Sequence, residues 1–264
     1  QTTCAGINAT FSVVGITGGT GLTYQWQVST PTAPTFANIA GATAATYTVS
    51  APASAQNGNQ YRVLVSSAGC TATTLTSTAG TLTVNPSPVV VISASPSTTV
   101  IPGSTVTLTA AVSPNGAASY QWYNNGVAVA GATNNTLVVG IDGIGSYTVK
   151  VTDANGCTNA AQASTPASIA VTTTATTQLF IYPSPNTGKF QVRYFNDLND
   201  GPNGPAILNV YDSKGSRVFT RRYVLGPGYQ AMSVDLASHG KGVYRVDLLN
   251  TNGERIKTGN VMVY

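Results

Sequence analysis

One series of landmarks occurs twice in this chain, in the same order, and that repetition restricts the fold more than any other feature. The first copy reads Leu22-Thr-Tyr-Gln-Trp-Gln-Val28, Gln60-Tyr-Arg-Val-Leu-Val65, Ala68-Gly-Cys-Thr71 and Thr81-Leu-Thr-Val84. The second reads Ala118-Ser-Tyr-Gln-Trp-Tyr123, Ser146-Tyr-Thr-Val-Lys-Val151, Asn155-Gly-Cys-Thr158 and Ser168-Ile-Ala-Val171. Each copy spans about 85 residues, the size of a small domain. Inside the copies apolar residues take every second place. Leu22, Tyr24, Trp26 and Val28 alternate with Thr23, Gln25 and Gln27, and Tyr61, Val63 and Val65 repeat the pattern, as do Tyr147, Val149 and Val151. Val106, Leu108, Ala110 and Val112 form another such run. A period of two puts one face in a core and one in water, as a strand does. Short alternating strands separated by Gly and Pro predict a sandwich of two sheets. No long stretch has helical periodicity.

A central Trp followed later by a Tyr-x-Val strand resembles the immunoglobulin-like fold, with Trp26 and Trp122 as the core Trp of strand C and Tyr61 and Tyr147 on strand F. The cysteines depart from the antibody pattern. Strand B carries Phe11 and Val13, or Val106 and Leu108, where Cys would sit, and Cys70 and Cys157 follow strand F in a turn. The remaining cysteine, Cys4, precedes strand B of the first copy, so a Cys4–Cys70 bridge is expected, with Cys157 a shielded free thiol. A disulfide fits an exported protein.

Composition narrows the class. Only 8% of the 264 residues are charged, about a third of the usual share. β-branched Thr and Val fill much of the space and favour strands. Thirteen Tyr and two Trp in alternating patterns argue against a disordered chain. The net charge of +4 and pI near 9.0 follow from scarce acids, one Glu and seven Asp. The densest basic run, Arg217-Val-Phe-Thr-Arg-Arg222, has neither the aromatic platform nor the reading helix of a nucleic-acid module, so no nucleic-acid partner is expected. No apolar run is long enough to span a bilayer as a helix. The start at Gln1 without a leader suggests a processed protein or the C-terminal piece of a longer one.

The last stretch lacks the repeat's signatures. It opens Leu179-Phe-Ile-Tyr-Pro-Ser-Pro-Asn-Thr-Gly-Lys-Phe190, passes through Val210-Tyr-Asp-Ser-Lys-Gly215, reaches Gly240-Lys-Gly-Val-Tyr-Arg-Val246 and ends at Tyr264. About seven short strands fit, with hairpin chemistry at Asp212–Gly215 and Asn252-Gly253. This order of parts resembles the type A C-terminal sorting domain of the type IX secretion system of Bacteroidota, although Ser184 stands where the family commonly has Asn. The expectation is therefore an all-β chain of three small β-sandwich domains in tandem. Two are immunoglobulin-like, at 1–86 and 87–172, and a sorting-domain sandwich follows at 178–264. Asn85-Pro-Ser-Pro88 is a stiff joint, since two prolines fix φ, and residues 173–177 a linker in the polar tether Thr172–Gln178.

The resemblance implies partners and a mechanism. Such a domain docks on an outer-membrane translocon, a shuttle protein and a surface sortase act on it, the linker is cut, and the cargo is released or joined to lipopolysaccharide. The recognition residues it points to are Pro183, Pro185, Gly188, Gly240, Gly242, Tyr244, Lys257, Val261 and Val263, with the terminal strand offering unpaired backbone groups. The chain is then expected at the cell surface or outside the cell.

Catalytic and metal chemistry is not expected. His239, the single histidine, lies beside Asp235 and Ser238 in one turn, and neighbours in one turn do not supply the convergence of a triad. No catalytic, cofactor-binding or metal residues emerge. The closest approach to a metal site is Asp197-Leu-Asn-Asp-Gly-Pro-Asn-Gly204, oxygen-rich but without an EF-hand's twelfth-place Glu, where Leu208 stands. The chain reads as a non-catalytic stalk with an export label. The alternatives are an adhesin whose exposed aromatics, such as Phe36 and Tyr123, bind glycan or another surface, and the tail of a larger secreted enzyme.

Overall fold

The computed structural model describes residues 1–16, 20–68, 74–159, 168–196, 205–250 and 252–264. The first repeat supplies β1 (Thr2–Cys4), β2 (Ala9–Ser12), β3 (Leu22–Thr30), β4 (Ala33–Asn38), β5 (Thr46–Val49), β6 (Gln60–Ser67), β7 (Leu75–Thr76), β8 (Gly80–Thr81) and β9 (Thr83–Asn85). The second supplies β10 (Val89–Ser95), β11 (Thr99–Val100), β12 (Thr105–Ser113), β13 (Ala117–Asn124), β14 (Val127–Ala128), β15 (Thr136–Gly140), β16 (Gly145–Asp153) and β17 (Ser168–Thr173). The tail supplies β18 (Leu179–Tyr182), β19 (Lys189–Asn196), β20 (Pro205–Tyr211), β21 (Arg217–Val224), β22 (Gly228–Asp235), β23 (Gly242–Leu249) and β24 (Arg255–Val263).

The chain folds into two compact units that cut across the second repeat. One comprises Gln1–Ser93, Ala110–Asn135 and Thr148–Ser168; the other comprises Ala94–Thr109, Thr136–Tyr147 and Ile169–Tyr264.

In the first unit, β2 pairs with β5, and a second sheet runs β4-β3-β6-β7 with β8 also on β6. The first strand, β1, runs parallel to the last, β9. This is the immunoglobulin-like arrangement, one sheet from strands B and E and one from C′, C, F and G. The apolar face of each strand meets in the middle, where Phe11, Trp26, Tyr61, Val63 and Leu82 are buried. The Phe11 and Tyr61 rings lie 4.8 Å apart, so aromatic packing fills the place of the inter-sheet disulfide.

The Tyr-Gln-Trp signature has a physical reason that both copies share. The Trp26 indole N–H donates to the Ala44 carbonyl at 2.9 Å, and that of Trp122 donates to the Asn134 carbonyl at 2.9 Å. The preceding Gln turns its amide back onto the backbone. Gln25 Nε2 donates to the carbonyls of Trp26 and Ile39, and Gln121 Nε2 to those of Trp122 and Val129. A buried indole needs an acceptor, and a Gln beside it satisfies two carbonyls at once. The second repeat also keeps the pairing scheme, with β12 antiparallel to β15 and β11 parallel to β17. Tyr147 donates to the Gly143 carbonyl, the corner tyrosine of such sandwiches.

The disulfide differs from expectation: Cys4 is bonded to Cys157, not to Cys70, and Cys157 is therefore not a free thiol. Cys70 lies outside the described residues. The reason for the difference is where Cys4 stands. It pairs with Asn85 at the start of the joint, while Ser87 donates to the Ala5 carbonyl, so Cys4 sits at the end of its repeat that leads into the next. Cys157 is presented by a tight turn in which Asp153 Oδ1 accepts the N–H groups of Asn155 and Cys157. A closure across 153 positions removes about 5 kcal/mol of unfolded-chain entropy in the chain-entropy treatment.

In the second unit the tail forms a sandwich of its own, with sheets β18-β19-β22 and β21-β20-β23-β24. Val192, Leu208, Val210, Met232, Leu236, Val246 and Leu248 are wholly buried between them. Burial of each contributes about 1.5–3 kcal/mol.

Candidate functional site

The residues singled out at the start of the tail are packed around Asn186. Its Nδ2 donates to the Pro183 carbonyl at 2.9 Å, and its Oδ1 accepts the Gly188 N–H at 2.7 Å. Its backbone faces the last strand: Asn186 N–H donates to the Met262 carbonyl at 3.0 Å, and Tyr264 N–H donates to the Asn186 carbonyl at 2.9 Å. Met262 N–H also donates to the Ser184 hydroxyl at 3.3 Å. The Tyr-Pro-Ser-Pro-Asn stretch is thus a staple on the outer edge of β24, whose inner edge is paired to β23. This corrects the expectation of a terminal strand with free backbone groups, because the edge is occupied at Met262–Tyr264. Asn186 carries the arrangement and was not foreseen. The signal for it was the Asn-Thr-Gly run after the prolines, which is Asx-turn chemistry.

Gly188 is required on two counts. Its φ is +98°, and a Cβ there would lie 2.8 Å from the backbone of Ala237. Gly240 differs: a Cβ on it meets nothing within 4 Å. Its carbonyl accepts the hydroxyl of Tyr244, which is buried, so this pair repeats the corner that Tyr147 and Gly143 make. Gly242 opens β23 in equally open space. Val261 and Val263 are core residues, and Lys257 is half-buried at the start of β24. The side chains that the β23–β24 pair turns outward are Val243 and Met262, which face each other across the strands and are about half exposed, together with Arg245 and Tyr264.

Beneath that outer face Asp247 is buried, held by Arg245 and Arg255 at 3.4 Å each and by the Thr258 hydroxyl at 2.7 Å. A cleft of about 930 Å³ opens beside β19 and β22, lined among others by Asp142, Tyr182, Phe190, Phe219 and Arg221. Two of its charged residues pair with each other, Lys189 with Asp235 at 3.5 Å. The Ala237 N–H, with Lys189 beside it, holds the Asp235 carboxyl below the usual carboxylate range. Burial raises the Tyr182 phenol, against the opposing pull of Arg193.

Catalytic geometry is not assembled by the residues that could suggest it. Asp235 Oδ1 accepts the Ala237 N–H, and among the described residues His239 Nδ1 meets only the adjacent Ser238, at 3.4 Å. Among the described residues no group of His, Cys, Asp or Glu could hold a metal ion, and no helix is long and apolar enough to cross a membrane. The oxygen-rich loop 197–204 lies outside the described residues.

Comparison with known families separates the two ends of the chain. Residues 1–86 match a family described as a domain of unknown function. Residues 180–261 match the secretion system C-terminal sorting domain. The tail is a sorting domain of the type IX system. The chain is therefore an exported protein, bound for the cell surface or the extracellular space, whose immunoglobulin-like modules and sorting domain are non-catalytic kinds of domain. The sorting domain implies interaction with the type IX secretion machinery.

No curated protein matches the chain significantly. Among solved structures it is similar to the first eight immunoglobulin domains of Down Syndrome Cell Adhesion Molecule, at 13% identity over all of this chain with a TM-score of 0.33, and it spans 34% of that chain. It is also similar to the full ectodomain of mouse nectin-like molecule 4, at 15% identity over 100% of this chain and 96% of that one, with a TM-score of 0.35. Titin domains I67–I69 align at 13% identity over 99% and 94%, with a TM-score of 0.34. Scores this low leave the fold to rest on the sheets described above.

Proposed function

We propose that the chain is a display stalk with a detachable export label: immunoglobulin-like domains at 1–86 and 87–172 carry or space a surface component, and the module at 178–264 delivers them. The family match over 180–261 carries this reading. The stalk contributes no chemistry of its own. On arrival a translocon reads the sorting domain, a shuttle protein and sortase follow, and the sortase cuts between Thr172 and Gln178 and releases the cargo or passes it to lipopolysaccharide.

In this reading the translocon contacts the side chains on the outer face of β23 and β24. Val261 and Val263 belong to the core and set the shape of that strand, while Val243, Arg245, Met262 and Tyr264 present the surface. Pro183, Pro185 and Gly188 act through the staple that fixes β24, and Gly240, Gly242, Tyr244 and Lys257 frame the exposed face. The adhesin alternative gains no support from its candidate residues. Phe36 is covered by the Arg62 guanidinium, 4.0 Å above its ring, and Tyr123 is only partly exposed.

The test is transfer. Gln178–Tyr264 fused to an inert periplasmic passenger in a type IX-competent host carries the passenger to the exterior, and loss of Lys257–Tyr264 leaves it in the periplasm. A passenger that stays inside with the complete module overturns the reading.

A further inference from the structure

In sequence the stretch Thr172–Gln178 is an extended polar tether; in the structure it is fastened at several points along its length. Thr172 and Thr173 lie in β17, in register with Thr99 and Val100 of β11. Thr172 N–H donates to the Thr98 carbonyl at 2.9 Å, and the Thr173 hydroxyl to the Val100 carbonyl at 2.7 Å. At the other end Leu179 is already paired with Tyr194.

Between these anchors stands Tyr229 of β22. Its hydroxyl donates to the Thr174 carbonyl at 2.9 Å and lies 3.2 Å from the Thr176 hydroxyl, which in turn accepts the Gln178 N–H at 3.4 Å. The ring itself is packed on both sides. It is 9% exposed and edge-on to Phe180 and Phe195, with centroids at 5.6 and 5.1 Å. Its backbone carbonyl accepts from Arg193, a buried guanidinium that also pairs with Asp142 at 2.7 Å. The one polar atom of a rigidly held side chain is thus committed to the linker.

We propose that Tyr229 is a latch that holds Thr174–Thr176 against the sorting domain and keeps the linker from being cut until the latch opens. A strand-binding partner recognises an extended peptide through its backbone groups, and here the Thr174 carbonyl is already taken. Cutting then follows the population of locally opened linker rather than the protease's access to a loose tether. The biological meaning rests on the sorting-domain reading: cargo stays attached to its label until engagement of the module disturbs β19 or β22. The latch itself is a property of the chain alone.

The test uses the whole 264-residue chain and dilute proteinase K under native conditions, with cuts mapped by intact mass. Tyr229→Phe keeps the ring packing and removes only the hydroxyl, and the rate of cutting within 172–178 rises roughly fivefold. Thr176→Val, which removes the linker's own hydroxyl, raises it roughly twofold. Tyr223→Phe deletes a bond of the same kind elsewhere in the module, from Tyr223 to the Ser233 carbonyl at 2.6 Å, and leaves the linker rate unchanged. A Tyr229→Phe chain cut no faster than the parent overturns the latch, as does equal acceleration by Tyr223→Phe, which would mark general loosening. Because no secretion machinery is present, these outcomes stand apart from the passenger-transfer experiment, and either reading is able to fail alone.

Discussion

The two motifs that mark the sorting domain in sequence, Pro183–Gly188 and Gly240–Tyr244, are built on opposite plans. The first is crowded. Asn186 is 3% exposed, its amide spans the turn, and Gly188 lies against the Ala237 backbone with no room for a methyl group. The second is open. A Cβ on Gly240 or Gly242 meets nothing, Gly242–Tyr244 pair with Val261–Val263, and the Tyr244 hydroxyl holds the Gly240 carbonyl. In the first motif Asn186 and Gly188 are buried and act on the fold, with Pro183, Ser184, Pro185 and Thr187 exposed around them, whereas the second leaves its glycines in open space beside a surface that a partner is able to touch. A landmark common to both motifs in a sequence therefore need not report one kind of constraint.

The comparison breaks first at Gly188. Alanine there adds a steric clash to a positive φ, and together these cost about 3–4 kcal/mol. Urea unfolding followed by Tyr fluorescence is the measurement, with the tail's transition displaced to lower denaturant. A loss under about 1 kcal/mol would mean that the turn relaxes and is not crowded at all. Next is Asn186→Ala, which leaves the Gly188 N–H and the Pro183 carbonyl without their partner and costs about 2 kcal/mol. Hydrogen exchange adds a local reading, since the Tyr264 amide is bonded to the Asn186 carbonyl and exchanges faster once the staple loosens. Protection at Tyr264 equal to that of the parent would separate the staple from the terminal strand.

Much of the architecture was legible because period-two alternation reports burial directly. Trp26, Tyr61, Val63, Trp122, Tyr147 and Val149 all lie in the core where alternation places them. Both indoles find a backbone acceptor. What pattern does not report is which parts meet in space. Sequence order points Cys4 to a partner in its own repeat, yet β1 pairs with the strand that leads out of that repeat, and the bond goes to Cys157. The alternation of the last strand reports its buried face but not its edge, and the cover of that edge comes from Asn186, far earlier in the chain. The tether reads as extended and polar because Thr and Ala carry no apolar signal, while the residue that fastens it, Tyr229, reads as an ordinary buried aromatic. Contacts across long sequence separations made by single polar groups leave no periodic trace.

In the open motif, Tyr244→Phe removes one hydrogen bond from a buried hydroxyl and leaves the ring in place, so the loss is about 1 kcal/mol. The parallel change Tyr147→Phe gives a similar value if the two corners are equivalent, and thermal or urea unfolding of both variants reads this directly. A Tyr244 loss as large as that of Asn186→Ala would place the second motif among the crowded ones.

The smallest effect on stability belongs to Gly240→Ala, and it is the change that tells most about recognition. The methyl group enters empty space at a position where φ is not left-handed, so unfolding shifts by no more than about 0.5 kcal/mol. Stability being matched, any change in passenger export belongs to the surface and not to the fold. Export that falls with unfolding unchanged assigns Gly240 to the face the translocon reads, beside Val243 and Arg245. Export at the parental rate confines recognition to the outward side chains of the two strands, and the glycine then serves only to carry the carbonyl that Tyr244 holds.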